Sequence, residues 1–293
     1  VTPEEVNPEK LASMMVGREV NLIVMKHEAK PGEPVLEVKD LFVRAETERL
    51  TVQGVSFDVH AGEVLGVAGV QGNGQTELVY ALTGLLPIIS GEIKIMGETI
   101  HRSSPRDILE RGVAHIPEDR LRHGLILSFP IYDNLTLCTY YQKPFAQGVR
   151  LQEKAILDNA DTLVKQFDVR TPSISVNASN LSGGNQQKVI VAREFSRPIY
   201  LLIASQPTRG LDVGSIEYIH NRIIQKRDEG TGVLLVSSEL DEIMALSDRI
   251  AVMFKGQIMS IVSAAKVSKE YLGLLMAGIH PEAVEHKHRQ PAN

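Results

Sequence analysis

Two glycine-rich stretches, each running into a helix-like segment, constrain this chain more than anything else in it. The first, Gly69-Val70-Gln71-Gly72-Asn73-Gly74-Gln75-Thr76, lies between an apolar run at 64–68 and a helical run at 77–82. Strand, glycine-rich loop and helix in that order let backbone N–H groups wrap a phosphate-sized anion. The second, Leu181-Ser182-Gly183-Gly184-Asn185-Gln186-Gln187-Lys188, sets a serine and two glycines at a helix start. That serine can cap the helix, and the glycines allow an anion to approach the unpaired N–H groups closely.

The surrounding pattern is that of an α/β protein. Short runs rich in Ile, Leu and Val at 199–204, 233–236 and 250–253 alternate with helical stretches, which predicts parallel strands buried on both faces. Segments 35–38, 52–59 and 93–96 read as further strands. From about 118 to 180 the pattern is mainly helical, with its longest segment at 151–167. Residues 26–34 hold two prolines and a glycine among polar residues and read as a linker. Ahead of it, 4–20 reads as an amphipathic helix with Leu11, Met14 and Met15 on one stripe. Past Gly278 the sequence turns polar, as a frayed tail does.

Composition narrows the function classes. The 293 residues suffice for one large or two small domains, and 43% hydrophobic with 23% charged residues is ordinary for a globular chain. A net charge of −5 argues against a dedicated nucleic-acid binder. The lone Cys138 rules out an internal disulfide and fits a reducing compartment. No apolar run approaches the roughly 18 residues that a membrane-spanning helix needs, so any work at a membrane goes through a partner.

Three further stretches place the two loops in a family. They are Tyr200-Leu201-Leu202-Ile203-Ala204-Ser205-Gln206-Pro207-Thr208, the following Arg209-Gly210-Leu211-Asp212, and Val233-Leu234-Leu235-Val236-Ser237-Ser238-Glu239-Leu240-Asp241-Glu242. In this order the motifs resemble the ATP-binding cassette of membrane transporters, over about 35–277. The altered loop at 69–76 and the Asn-Gln-Gln-Lys ending of the loop at 181–188 resemble the C-terminal cassette, the second of two, in importers for simple sugars or nucleosides, with a lean toward nucleosides.

That resemblance implies a P-loop NTPase-like fold: a mostly parallel sheet core, an antiparallel β subdomain and a helical signature subdomain at about 119–185. It implies a nucleotide-binding domain over 35–278 and a tail at 279–293. Residues 1–34 would be the end of a preceding domain plus linker, because Met15-Val16-Gly17-Arg18-Glu19-Val20 resembles the close of a first cassette. The implied cofactors are ATP and Mg, with Gly69, Gln71, Gly72, Asn73, Gly74, Gln75, Thr76 and Glu77 around the phosphates and Thr76 as the magnesium candidate. The implied partners are a preceding cassette on the same polypeptide, membrane permease subunits and, through them, a substrate-binding lipoprotein. The implied location is the cytoplasmic face of the membrane, as a peripheral protein.

Four positions depart from an active cassette. Gln75 stands where a lysine is usual, and a unit-charge contact at about 4 Å is worth roughly 4 kcal/mol at an effective dielectric of 20. Ser205 and Gln206 replace the Asp that holds Mg²⁺ and the Glu that polarises water; losing general-base help of that kind forfeits about 10²–10⁴ in rate. Ser238 replaces a histidine and reads as a helix cap, with Asp241 as its capping-box partner. By contrast, Ser182, Gly183, Gly184 and Gln186 are kept, and in the family such a loop acts in trans on the partner's nucleotide. Asn185 stands where Gln is commonest, and Asp212 sits in the motif that meets the opposing cassette. Glu118-Asp119-Arg120 occupies the place of the loop that touches the permease, ahead of a permease-facing surface at 129–135. Phe42 falls short of the usual adenine-stacking position.

The expected function is therefore a degenerate cassette with negligible ATPase activity alone, which lends its signature loop to a partner during import. A structural or regulatory module that binds no nucleotide is the alternative. A stand-alone ATPase would need an acid at 205 or 206, and the chain has none there.

Overall fold

The computed structural model describes residues 24–45, 47–100 and 103–280. The helix expected at 4–20, and the tail from 281 with His286 and His288, lie outside the described residues. In chain order the first strands are β1 (Pro34–Arg44), β2 (Leu50–His60), β3 (Val64–Ala68), β4 (Ile88–Ile95), β5 (Glu98–Thr99) and β6 (Val113–Ile116). Then come β7 (Ala146–Gln147), β8 (Arg150–Leu151), β9 (Leu201–Ser205), β10 (Gly232–Ser237), β11 (Arg249–Phe254) and β12 (Gln257–Ser263). The chain divides into a sheet unit (26–113, 200–205 and from 224) and a helical unit (114–199 and 206–223).

The sheet unit contains two sheets of different character. In one, β2-β1-β4-β5 run antiparallel throughout. In the other, β11, β3, β10 and β9 lie side by side and parallel, and β12 closes the edge as an antiparallel hairpin with β11. Every residue of β3, β9 and β10 is buried, which is why these strands read as unbroken apolar runs. Strand β1 instead buries alternate positions such as Leu36, Val38, Leu41 and Val43. Phe42 lies against Gly54, where an added Cβ would come 3.4 Å from its ring. Strand β12 and the helix Lys269–Met276 have no counterpart in the expectations from sequence.

The segment expected to be a linker is tied down. Arg227, only 1% exposed, donates to the His27 carbonyl at 3.0 Å and pairs with Asp248 at 3.1 Å. Lys26 Nζ donates to the Ser247 carbonyl at 2.5 Å, and Gly32 N to the Ala61 carbonyl at 2.9 Å. Most of residues 26–34 are exposed, and the cations Lys26 and Arg227 fasten the stretch as a strap.

In the helical unit, helices Ile131–Thr136, Glu153–Gln166 and Gly183–Phe195 pack through Ile131, Leu135, Ile156, Ala160, Leu163 and Ile190. Beneath the last helix sits a buried charge cluster. Glu194 pairs with Arg193 at 3.0 Å and Arg197 at 3.1 Å, and accepts Cys138 Sγ at 3.4 Å and the His115 backbone N–H at 3.4 Å. Burial would raise the Glu194 carboxyl, but Arg193 and Arg197 outweigh it and hold the group below its ordinary range. Cys138 and His115 thus both lie against the Glu194 carboxylate. Burial pushes the thiol up to about 12 and the imidazole down to about 4.

Candidate functional site

The first loop follows β3 and opens the helix Gln75–Leu82. Gly72 and Gly74 adopt φ of 88° and 102°, in the left-handed region where a side chain is strained. At Gly74 a Cβ would also lie 2.9 Å from Met253 Cε. These glycines bend the chain as a phosphate loop bends, but the loop satisfies itself. Gln75, 8% exposed, accepts the Asn73 N–H on Oε1 at 3.1 Å and donates from Nε2 to the Val70 carbonyl at 3.1 Å. Asn73 Nδ2 donates to the same carbonyl at 2.9 Å. Its Oδ1 and carbonyl O accept the N–H groups of Lys255 and Gly256 at 2.8 and 2.9 Å. Gln71 and Gly72 are exposed, and Gly69, Thr76 and Glu77 flank the turn, with Glu77 adding a carboxylate to the first helical turn.

The donors around this loop do not suit a magnesium ion. Mg²⁺ prefers anionic oxygens in an octahedral shell. Here Thr76 contributes one hydroxyl and Ser205, at the end of β9 two strands away from β3 in the sheet, another, and neither is anionic. Among the described residues no cluster of three His, Cys, Asp or Glu is suited to a metal.

Ser238 does not stand at the N-cap of the next helix. That helix, Leu240–Leu246, has Glu239 at its N-cap and no side-chain capping bond, while Ser237 Oγ accepts the Glu239 N–H at 3.0 Å. The capping-box spacing from Ser238 to Asp241 is out of register by one residue with the helix that forms.

The second loop opens the helix Gly183–Phe195, with Ser182 in the N-cap position. The expected side-chain cap is absent, because the Ser182 hydroxyl accepts Asn185 Nδ2 at 2.9 Å instead. Gly183 and Gly184 serve packing as well as access. An added Cβ at Gly183 would lie 2.8 Å from Arg120 Nη2; at Gly184 it would strike Ser215 Oγ and come 3.1 Å from Asp212 Oδ2. Gln186, grouped with Ser182 in the signature loop, is turned inward: it is 6% exposed and donates to the Ala178 carbonyl at 3.1 Å. Ser182 sits at the N-cap with extended backbone, φ −63° and ψ 157°, so the same-face rule for helical residues four apart does not carry its exposure over to Gln186.

A polar cavity opens beside Ser182 and Asn185, lined by Asp168, Arg170, Lys188, Asp212, Ser215 and Tyr218. Asp212 accepts the Ser215 N–H at 2.9 Å and its hydroxyl at 2.7 Å. Burial works against the Asp212 carboxylate, yet those hydrogen bonds win and hold it below its ordinary range. Lys188 Nζ is spent on Asp168, at 2.6 Å to the carboxylate and 2.7 Å to the carbonyl, and lies 4.6 Å from the Tyr218 ring centre.

The loop at 118–120 joins the same constellation. Glu118 Oε1 pairs with Arg209 Nη1 at 2.6 Å, and Arg120 Nη1 donates to the Arg209 carbonyl at 2.9 Å. Asp119 accepts the N–H groups of Leu121 and Arg122. Gln187 Nε2 reaches the Pro207 carbonyl at 2.8 Å. The contacts of Arg120, Asn185 and Ser215 are long-range or side-chain-to-side-chain, and no local pattern announced them.

Comparison with known proteins agrees with this geometry. A family model described as ABC transporter matches residues 52–209. The nucleoside import ATP-binding protein NupA of Lactococcus lactis subsp. cremoris (strain MG1363) is 53% identical over 92% of this chain and 53% of its own length. The guanosine import ATP-binding protein NupO of Bacillus subtilis (strain 168) is 49% identical over 94% of this chain and 54% of its own. The chain spans about half the length of the curated relatives it matches. Among solved structures, an ATP-binding cassette of an ABC transporter in its ADP conformation shares the fold. Its TM-score is 0.67 at 19% identity, covering 88% of this chain and 100% of that one. Among the described residues no helix is long and apolar enough to cross a membrane. A parallel sheet carrying a glycine loop, a serine-glycine-glycine helix start, and a family match across more than half the chain together make this protein a member of the ABC transporter family.

Proposed function

We propose that this cassette is a degenerate ATP-binding domain of an importer, contributing its Ser182 loop in trans to ATP held by a partner cassette. The observation that carries the reading is the contrast at the two loops. Gln75 occupies its own phosphate cradle with an uncharged amide, whereas the Ser182 hydroxyl stands exposed with no acceptor among the described residues. Phosphoryl transfer depends mainly on positioned charge and hydrogen-bond donors, so a loop of the second kind can assist a site that it does not itself hold. Ser205 and Gln206 offer neither a magnesium carboxylate nor a base, in keeping with little turnover in cis.

By analogy with the nucleoside and guanosine import proteins, the imported solute is a nucleoside, and hydrolysis is coupled to transport through permease subunits. The preceding cassette on the same polypeptide, the lipoprotein and the peripheral position at the cytoplasmic membrane face belong to the same reading. The closed state of the first loop also favours a second reading, a structural or regulatory module that binds no nucleotide. One experiment separates the two: ATP hydrolysis by the assembled transporter carrying Ser182→Ala. A loss of about 10²–10³-fold, the scale for removing one transition-state donor, is expected; unaltered hydrolysis favours the structural module. The cassette alone should show negligible ATPase activity, and Gln75→Lys should raise its affinity for ATP.

A further inference from the structure

We infer that Asn185 is a positioning residue that sets the polarity of the Ser182 hydroxyl, obliging it to donate its proton outward. This deepens the trans reading above and rests on it.

The argument begins at a backbone amide. Arg170 N–H points at the Asn185 carboxamide oxygen, 2.7 Å away. A backbone N–H can only donate, so it fixes which end of the carboxamide is oxygen and which is nitrogen. With Oδ1 committed to Arg170, Nδ2 faces Ser182 Oγ at 2.9 Å. An amide nitrogen can only donate, so Ser182 Oγ must accept there, and its own proton is turned away from Asn185. Among the described residues that proton has no acceptor, and Ser182 is exposed. A hydroxyl held this way offers an outside anion a donor without first breaking an internal bond, which is the preorganisation that phosphoryl transfer rewards.

The amide at Arg170 is itself held. Asp168, two residues before it, adopts a left-handed φ of 49°. Lys188 fastens it by two hydrogen bonds, of 2.6 Å to the carboxylate and 2.7 Å to the carbonyl. Arg222 Nη2 holds the Gln166 carbonyl, two residues before Asp168, at 2.9 Å. The relay from a clamped turn to amide to hydroxyl therefore runs through groups with one allowed polarity each.

The test uses ATP hydrolysis by the assembled transporter, with Asn185→Asp, Asn185→Ala and Ser182→Ala singly and each Asn185 variant combined with Ser182→Ala. Asn185→Asp keeps the shape and the Arg170 contact but replaces the donor with a second acceptor, which captures the Ser182 proton. We expect kcat to fall at least 10-fold in Asn185→Asp, by about 3-fold in Asn185→Ala, and no further in either double variant than in Ser182→Ala. A merely structural role gives the opposite ranking, with the isosteric Asn185→Asp milder than the truncation. The carboxyl variant should also recover relative to wild type as pH falls and the acid regains a proton to donate. If Ser182→Ala hydrolyses normally, the trans reading fails. If Ser182→Ala is impaired but Asn185→Asp is the milder Asn185 variant, or adds fully to Ser182→Ala, the trans reading stands and the role given to Asn185 is overturned.

Discussion

The loop at 69–76 and the loop at 181–185 share a recipe, glycines at the mouth of a helix, and end in opposite states. In the first, one long side chain folds back: Gln75 takes the Asn73 N–H and donates to the Val70 carbonyl, closing the turn on itself. In the second, a shorter amide reaches sideways to Ser182 and leaves the hydroxyl proton outside. The glycines decide that an anion-sized turn can form, but a single neighbouring side chain decides whether it stays open. The two loops also differ in support. The first leans on the hairpin turn at Lys255 and Gly256, whereas the helix behind the second is rooted in the buried Glu194 cluster.

That rooting supplies the largest expected effect. Glu194→Ala leaves Arg193 and Arg197 without their carboxylate, and breaking a buried pair costs about 3–5 kcal/mol. Urea unfolding should report this loss, and amide exchange should quicken at 181–188 before 69–76. Equal loosening of both loops would break the contrast in support.

Acid probes the same base. The His115 imidazole has a folded pKa pushed from 6.5 to about 4, chiefly by burial, with Arg193 and His123 also lowering it and Glu194 opposing. Its Nε2 has no partner among the described residues. The unfolded chain binds this proton first, so stability is full above pH 6.5 and falls as pH drops from 6.5 toward 4. A shift of that size amounts to about 3 kcal/mol at most. His115→Leu should flatten the melting temperature across that window, and an unchanged pH profile would count against the burial.

The glycines themselves can be ranked. At Gly184 a Cβ would collide with Ser215, so Gly184→Ala is an overpacking change worth about 1–3 kcal/mol. At Gly72 nothing lies within 4 Å and only the left-handed φ of 88° resists a side chain, so Gly72→Ala should cost about 1 kcal/mol. Chemical denaturation of the two variants gives the order directly. A reversed order would mean that backbone strain outweighs packing and makes the first loop the more demanding of the two.

Much of the framework was legible because it is local. Buried parallel strands announce themselves as apolar runs, as in Val64–Ala68 and Gly232–Ser237, and strand-glycine-helix order placed the first loop correctly. Strand β12 and the helix Lys269–Met276 were missed because their exposure is mixed and neither carries an unbroken apolar run. The site was harder to read. Ser182 was picked out by its neighbours in sequence, but its partner bond competes with the cap that the pattern suggests. Motif membership says nothing about which face of a helix a residue occupies, and Gln186 lies on a buried one. Arg120 meets Gly183 across 63 positions, a separation at which spacing carries no signal.

The smallest expected change bears most directly on the first loop. Gln75→Ala removes one hydrogen bond to the Asn73 N–H and another to the Val70 carbonyl, in a region with exposed neighbours, so the stability cost should stay near 1 kcal/mol. What should move is anion binding. With the amide gone, the Asn73 N–H faces the cradle unpaired, and a neutral plug no longer has to be displaced before a phosphate oxygen can enter. Inorganic pyrophosphate, titrated calorimetrically against the cassette, should bind several-fold tighter to Gln75→Ala than to the parent, and tighter again to Gln75→Lys, which adds a charge. If Gln75→Lys gains affinity while Gln75→Ala does not, the missing charge alone disables this loop, and its folded-back side chain is a consequence of that loss rather than its cause.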